Sequence, residues 1–383
     1  MMKIIQYCQH VLGIGHLFRS LEISRALSDH EVVLVTGGPR VDTVLPGHVR
    51  ELRLPDLQMN QEFKGLFSSQ KNNTLEQVKA DRQKRLFEIF KREQPDIFLV
   101  ELYPFGRKAF RFELDPVLQA LDRRELPGCR VVCSVRDILV EKEDQFKHES
   151  RVVKTLNRYF DAVLVHADAN MAQLGETFDQ FDEIEIPVVY TGYIAPKPEP
   201  DAAQKIRRQL QIGPDERLII ASAGGGNVGA PLLEASVQAF HQLASKKNCH
   251  LKVFTGPFLE AGDYDRIKKM AGNLVHVEPF TPHFLSYLAA ADLSISMGGY
   301  NTTMNIMASG VPALVWPFSQ NREQRMRAGR LSREGILKVI EDGDLRPDRL
   351  AGLMGQMLSS PNRVAGKYDL EGARNTAHWI GQL

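Results

Sequence analysis

Short apolar runs alternate with amphipathic stretches through the first half of the chain. The apolar runs predict strands at residues 3–7, 31–35, 96–100, 130–134 and 162–165, and the amphipathic stretches predict helices at 17–27 and 75–92. Strands that alternate with helices form parallel sheets, because each parallel pair needs a crossover connection. The pattern therefore predicts a Rossmann-like α/β domain over residues 1–195.

The segment Ile194 to Pro200 contains three prolines in seven residues, which is typical of an extended linker. We place a linker at residues 196–202 and a second domain at 203–383, because strand and helix patterns alternate again from Leu218 onward. Open α/β sheets bind ligands at the carboxyl ends of their strands. The expected fold is therefore two Rossmann-like domains that face each other across a cleft, with residues 368–383 as a candidate helix returning to the first domain.

Three glycine-rich turns follow predicted strands. They are Gly13 to His16, Gly224 to Asn227, and the stretch Ser296 to Thr303, which contains Gly298 and Gly299. Small residues at a strand-to-helix turn leave backbone N–H groups and the positive helix end facing an anion such as a diphosphate. The alternative is that these glycines only permit tight turns. None of the three fits a dinucleotide-binding fingerprint.

Composition limits the partners and the location. The chain has 383 residues, of which 43% are hydrophobic and 25% charged, and its formal net charge of +1 argues against nucleic acid as a partner. The four cysteines lack paired spacing, so neither a zinc site nor a disulfide framework is expected. No leader and no apolar run of roughly 20 residues is evident. We expect a cytoplasmic protein, at most at the inner face of the membrane.

Basic and aromatic residues are interspersed in two stretches, Gln61 to Gln94 and Phe105 to Phe112. Such stretches are typical of amphipathic helices whose aromatic face lies in the core. The alternative is peripheral contact with an anionic membrane that presents a lipid-linked acceptor.

The first and third turns, together with Pro317-Phe318 and the segment Glu323 to Ala328, resemble glycosyltransferase family 28, the MurG-like enzymes of GT-B fold. The resemblance implies an inverting hexosyltransferase. Its second domain would bind a nucleotide diphosphate sugar of UDP or dTDP type, and its first domain would bind a small-molecule, glycan or lipid-linked acceptor. No metal and no further cofactor is implied.

The resemblance also implies a set of donor-binding residues. Phe280 and Thr281 would lie beside the base, and Gln324 would face the sugar hydroxyls. Asn305 stands where the family's usual pattern has an acidic residue that binds the ribose. The complete donor set is Gly225, Gly226, Asn227, Phe280, Thr281, Gly298, Gly299, Asn301, Thr302, Thr303, Asn305 and Gln324.

Catalysis of transfer to a hydroxyl needs a base. His16 has the side chain for it, since an ordinary histidine pKa near 6.5 suits proton abstraction, and the resemblance points to the same position. Its alternative role is packing or capping of the helix that follows. Glu101, at a strand end, is expected to orient His16 or to be the base itself, with a solvated carboxylate as the alternative.

On the acceptor side we expect Gly13, Gly15, Arg136 and Asp137, although the last two could be only an exposed pair. His10 is a weaker rival base. Two Asp-x-Asp matches, at residues 263–265 and 342–344, are read as ordinary helix caps rather than metal ligands.

Two other functions remain open at this stage. One is a nucleotide-sugar 2-epimerase of the same fold, which would turn over donor without an acceptor. The other is a catalytically impaired nucleotide-sugar-binding protein, which the replacement of an acidic residue by Asn305 would favour.

If Asn305 stands in for a ribose-binding carboxylate, Asn305→Glu should tighten the binding of a ribonucleotide donor. A charge-assisted hydrogen bond adds about 1 kcal/mol, or about fivefold in the dissociation constant. Isothermal titration with a nucleotide diphosphate sugar measures this, and Asn305→Gln controls for side-chain length. Equal affinities for the parent and Asn305→Glu would contradict the placement.

Overall fold

The computed structural model describes residues 1–10, 15–41, 43–59, 65–68, 73–140, 144–226, 228–244, 248–273, 275–359 and 368–383. The chain divides into two compact units. Unit 1 comprises Met1–Ile194 and Tyr368–Leu383, and unit 2 comprises Ala195–Lys367.

The strands are β1 (Lys3–Tyr7), β2 (Glu31–Thr36), β3 (Val49–Arg53), β4 (Gln58–Met59), β5 (Leu66–Phe67), β6 (Ile97–Glu101), β7 (Arg130–Arg136), β8 (Ala162–His166), β9 (Val188–Tyr190), β10 (Arg217–Ser222), β11 (Cys249–Phe254), β12 (Val275–Glu278), β13 (Leu293–Met297), β14 (Ala313–Trp316) and β15 (Lys338–Val339). The α-helices are α1 (Gly15–Ala26), α2 (Leu75–Glu93), α3 (Arg111–Asp122), α4 (Gln145–Tyr159), α5 (Ala202–Gln209), α6 (Ala230–Ala244), α7 (Ala261–Ala271), α8 (Phe284–Ala290), α9 (Tyr300–Ser309), α10 (Arg322–Arg333), α11 (Pro347–Ser359) and α12 (Gly372–Ile380). Short 3-10 helices lie at Lys108–Phe110, Leu174–Glu176, Phe181–Glu183 and Asp342–Leu345.

Unit 1 is built on a seven-stranded parallel sheet in the order β3-β2-β1-β6-β7-β8-β9. Strand order reverses between β1 and β6, which are direct neighbours. The last helix of the chain, α12, packs on α1, and its Ile380 shares a core with Ile4 and Leu21. The Gly372 N–H donates to the Tyr193 carbonyl at 3.0 Å, which fixes the start of α12 to the segment after β9.

Unit 2 is built on a six-stranded parallel sheet in the order β12-β11-β10-β13-β14-β15, and its strand order reverses between β10 and β13. Its main core joins one face of this sheet to α6, α7 and α11. The predicted fold class, two α/β domains with parallel sheets, is confirmed.

Helix α2 shows how the first basic-aromatic stretch is used. A capping box of Thr74 and Gln77 begins the helix. The Phe90 ring packs edge-on against Phe98 of β6, with ring centroids 4.7 Å apart. The amphipathic-helix interpretation therefore holds for residues 75–93. Residues 60–64 and 69–72 of the same stretch lie outside the described part of the chain. Among the described residues, no helix has the length and apolar composition that crossing a bilayer requires.

A buried ion pair ties α2 to the rest of unit 1. The guanidinium of Arg82 binds the Glu113 carboxylate of α3 through two nitrogens, at 2.8 and 2.6 Å, and both side chains are fully buried. Arg82 also donates to the Pro55 carbonyl at 2.6 Å and to Gln9 Oε1 at 2.9 Å, and Tyr7 donates to Glu113. This network fixes the segments that follow β1 and β3.

Replacement of Arg82 by methionine should lower the free energy of unfolding by about 3 to 5 kcal/mol, because the Glu113 charge is left buried and unpaired. Urea denaturation followed by circular dichroism measures the loss. Arg85→Met is the matched control: Arg85 lies on the same helix in an exposed pair with Asp81, so its loss should cost about 0 to 1 kcal/mol. Similar losses in the two variants would contradict the prediction.

Candidate active site

The loop after β10 is packed too closely for any residue with a side chain. Gly224 and Gly226 have φ angles of 64° and 97°. A Cβ at Gly226 would lie 2.7 Å from both the Leu259 nitrogen and the Thr255 oxygen, and one at Gly256 would lie 2.5 Å from the Gly224 oxygen. The glycines therefore let the loops after β10 and β11 pack backbone against backbone. Asn227, the neighbouring expected residue, lies outside the described residues.

The second glycine turn of unit 2 follows β13 and opens α9. Gly299 is the N-cap and provides no side chain to cap the helix, and the first turn of α9 contains no acidic residue. Thr302 Oγ1 lies 3.8 Å from the Cβ position of Gly224 and 3.9 Å from that of Gly299. The turns after β10 and β13 therefore meet where the strand order reverses.

Backbone amides at these two turns are available to a ligand. Within the described part of the chain, the N–H groups of Gly225, Gly298 and Gly299 donate to no other group. Uncommitted amides next to a helix N-terminus form an anion site. The Thr303 hydroxyl, by contrast, donates within its own helix, to Gly299 O at 3.0 Å and Tyr300 O at 2.8 Å, so it holds the turn in place.

Helix α10 is fixed against the start of α9. Gln324 Oε1 accepts from the Phe318 amide at 3.1 Å, and its Cβ lies 3.4 Å from a Cβ placed at Gly298. Buried Glu323 and Arg327 form an ion pair at 2.6 Å, and the Arg327 guanidinium lies 5.0 Å from the centre of the Tyr300 ring. Sequence reasoning missed this contact, although the i, i+4 spacing of the two charges was a signal for it.

The other donor-side residues are spread around these turns. Phe280 follows β12 and is 44% exposed, and Phe258, which follows β11, is 41% exposed. Thr281 Oγ1 accepts from the His283 amide at 3.2 Å. Asn301 and Asn305 are half-buried on α9.

In unit 1, His16 and Glu101 come together where strand order reverses between β1 and β6. His16 is the second residue of α1, and its Nδ1 lies 2.6 Å from Oε1 of Glu101, the last residue of β6. A carboxylate can only accept, so Nδ1 carries the proton and donates to Glu101. The second ring nitrogen, Nε2, then has a free lone pair, and it makes no hydrogen bond within the described residues.

Two arginines surround the same carboxylate. Arg19 Nη2 donates to Glu101 Oε1 at 2.6 Å, and Arg107 Nε lies 3.4 Å from Oε2. Burial lowers the pKa of His16 to about 3; Glu101 opposes this shift, and Arg107 and Arg19 add to it. Burial alone would raise the pKa of Glu101, but His16 and the two arginines hold it well below its usual range. At neutral pH the site therefore contains a neutral imidazole and a charged carboxylate.

The remaining acceptor-side residues lie around this pair or outside the described residues. Gly15 begins α1, Arg136 ends β7 and Asp137 is buried, whereas Gly13 lies outside the described residues. His10 Nε2 donates to the Pro39 carbonyl at 2.7 Å. Its Nδ1 therefore keeps a lone pair.

A buried histidine network beside this site was not predicted. His166, at the end of β8, lies 2.6 Å from Ser134 Oγ through Nε2 and 2.9 Å from Thr191 Oγ1 through Nδ1. Burial lowers the pKa of His166 to about 3, and the charge of Arg19 adds to the shift. The only available signal was that Ser134 and His166 both come at strand ends.

Neither Asp-x-Asp match forms a metal site. Asp263 lies in the first turn of α7 and pairs with Arg266, and Asp342 accepts from the Trp316 indole at 2.9 Å. In the described part of the chain, no group of three or more histidine, cysteine, aspartate or glutamate side chains has the arrangement that holds a metal ion.

Known proteins resemble the chain in sequence and in fold. Residues 222–377 match the Glycosyltransferase family 28 C-terminal domain. A UDP-N-acetylglucosamine–N-acetylmuramyl-(pentapeptide) pyrophosphoryl-undecaprenol N-acetylglucosamine transferase of Carboxydothermus hydrogenoformans is 28% identical over 166 residues, which are 42% of this chain and 43% of the relative. The match thus spans less than half of that protein's length.

Two solved structures cover nearly the whole chain. MurG of Acinetobacter baumannii has a TM-score of 0.55 at 16% identity over 99% of this chain and 95% of its own. UGT2 of Phytolacca americana, solved with UDP-2fluoro-glucose and pterostilbene, has a TM-score of 0.60 at 16% identity over 100% of this chain and 94% of its own. At these identities the likeness concerns the fold, which is GT-B, as predicted.

The buried histidines make stability depend on pH. A histidine with a lowered pKa in the folded state stabilises the fold above its unfolded pKa near 6.5, and this contribution is lost as the pH falls from there toward 3. The free energy of unfolding should therefore fall as the pH drops from 7 to 5. In His166→Gln the slope should be smaller, by up to about 1.4 kcal/mol per pH unit.

Urea denaturation at several pH values between 5 and 7 measures these slopes. Exposed His241 on α6 provides the matched control, His241→Gln, which should leave the slope unchanged. A slope in His166→Gln equal to that of the parent would show that His166 is not the group that takes up the proton.

Proposed function

Residues 222–377 belong to the glycosyltransferase family 28 C-terminal domain, and on that premise we propose that the protein is a glycosyltransferase that moves a sugar from a nucleotide diphosphate donor to a hydroxyl acceptor. The observation that carries the proposal is the pair of glycine turns after β10 and β13. Free amides of Gly225, Gly298 and Gly299 and the N-terminus of α9 meet there.

The donor would bind to unit 2. The free amides and the positive end of α9 suit its diphosphate, since both favour negative charge. Gln324 is the proposed contact for the sugar hydroxyls, and exposed Phe280 and Thr281 are the proposed surroundings of the base. We propose UDP rather than dTDP as the nucleotide, because the name of the MurG-type relative specifies UDP.

His16 is the proposed general base. Its free Nε2 would take the proton of the acceptor hydroxyl as the hydroxyl oxygen attacks the anomeric carbon. The bond from that carbon to the donor phosphate oxygen breaks, and the nucleoside diphosphate leaves against the amides at the start of α9. A single displacement of this kind inverts the anomeric centre. Glu101 keeps the imidazole in the required tautomer and stabilises the imidazolium that forms.

The acceptor class is the finer part of the proposal. A lipid-linked acceptor, the kind named for the relative, would bring the protein to the inner face of a membrane, and a soluble glycan or small molecule would not. Neither the family match nor the site geometry favours a nucleotide-sugar 2-epimerase.

His16→Ala should lower kcat at least about a hundredfold and leave the dissociation constant of a UDP-sugar nearly unchanged, because the base acts only in the reaction step. Transfer to a panel of sugar, glycan and lipid-linked acceptors measures kcat, and isothermal titration measures donor binding. His241→Ala, on an exposed face of unit 2, is the control.

Near-normal kcat in His16→Ala would remove His16 from the mechanism. A parent protein that binds no nucleotide sugar would contradict the proposed function itself. Turnover of the donor to a 2-epimer without any acceptor would favour the epimerase instead.

A further inference from the structure

The loop that follows β6 directs Arg107 back toward Glu101. Leu102 and Arg107 have φ angles of 67° and 57°, which are uncommon for residues other than glycine. Gly106 N donates to Leu102 O at 2.8 Å, and the Phe105 ring packs edge-on against Phe178 at 5.2 Å. Left-handed backbone at two side-chain-bearing residues persists only where surrounding contacts hold it, and such positions cluster at ligand sites.

Only part of the Arg107 guanidinium is used. Its Nε approaches Glu101 Oε2 at 3.4 Å, which is long for a charge-assisted hydrogen bond. Its Nη2 is buried and has no hydrogen-bond partner among the described residues. A buried charged donor without a partner is costly unless a ligand satisfies it.

The charges around Glu101 do not balance. Two guanidinium groups, those of Arg19 and Arg107, face one carboxylate, and burial keeps His16 neutral. The sum is one excess positive charge beside the free Nε2 of His16. A buried excess cation favours binding of an anion.

His10 adds an unpartnered acceptor beside this excess charge. Its Nε2 donates to Pro39 O at 2.7 Å, and its Nδ1 is buried without a partner among the described residues. Burial lowers the pKa of His10 despite its bond to Pro39, and the charges of Arg53 and Arg107 add to the shift. His10 is therefore a neutral group close to Arg107 whose free lone pair can accept from a hydroxyl.

We infer that Arg107 and His10 form a subsite next to His16 for an acceptor that carries a phosphate or carboxylate group near its reacting hydroxyl. Arg107 Nη2 donates to the anionic oxygen and His10 Nδ1 accepts from an adjacent hydroxyl. The inference rests on the proposed function for the meaning of "acceptor", whereas the anion site itself can be tested without any donor.

Inorganic phosphate is the first probe, because at neutral pH it offers both an anionic oxygen and a hydroxyl. In protein labelled with [15N]histidine, phosphate added at constant ionic strength should shift the ring signals of His10 and His16 in a saturable way. Arg107→Gln should weaken the apparent affinity about tenfold or more. Arg107→Lys, which keeps the charge but loses the fork of donors, should give an intermediate value.

Arg130→Gln is the control variant, because Arg130 lies in an exposed pair with Asp161 on the same sheet and its loss changes the net charge equally. It should bind phosphate as the parent does. The inference is overturned if phosphate causes no saturable shift, if all histidines shift alike, or if Arg107→Gln binds as tightly as the parent. Circular dichroism melts of each variant exclude unfolding as the cause of a loss.

Glucose 6-phosphate, glucuronate and glucose then distinguish the anion. Tighter binding of one of the two charged sugars identifies phosphate or carboxylate as the preferred group, and equal binding of uncharged glucose overturns the inference. Calorimetric titration of UDP into the same samples separates the two proposals. Failure of UDP to bind counts against the proposed function alone, and failure of phosphate to shift His10 and His16 counts against this subsite alone.

Discussion

In each unit the strand order of a parallel sheet reverses between two neighbouring strands, and the arrangement of the functional residues depends on this constraint. Crossover connections to parallel strands are right-handed, so the helices that follow the two central strands lie on opposite faces of the sheet. The loops at the carboxyl ends of these strands then separate and leave backbone accessible. The reversal lies between β1 and β6 in unit 1 and between β10 and β13 in unit 2.

The two reversals carry different chemistry. In unit 2 the loops provide backbone amides, and the glycines there have positive φ angles or lie against other backbone. In unit 1 the strand ends provide side chains, and buried Glu101 organises three nitrogen-bearing groups around itself. Backbone dipoles suit a charge that must be held and released, whereas a fixed carboxylate suits an imidazole that must keep one tautomer.

Much of this could be predicted from the sequence, because the signals are local. Apolar runs located the central strands, glycine-rich turns located the loops, and the strand-end position of Glu101 suggested its partnership with His16, which is 85 residues distant. The short edge strands β3, β9 and β15 were missed, because two-sided exposure leaves them without a continuous apolar run.

Contacts that depend on tertiary packing could not be predicted. Nothing local separates Arg82, fully buried, from Arg85, which is 53% exposed on the same helix. Arg107 looked like one member of a basic-aromatic patch, yet it turns toward Glu101 because of the backbone conformation of its loop. His166 lay in an apolar strand without any charged neighbour to mark it.

Unit 1 is discontinuous in the chain, and this has a consequence for biosynthesis. Ile380 of α12 lies in the same core as residues near the N-terminus, such as Ile4 and Leu21. A nascent chain therefore exposes the α12-binding surface of α1 until all of unit 2 has been translated. Unit 2, which is continuous from Ala195 to Lys367, can complete its core on the ribosome first, so the part of the molecule synthesised earliest is the last to become fully assembled.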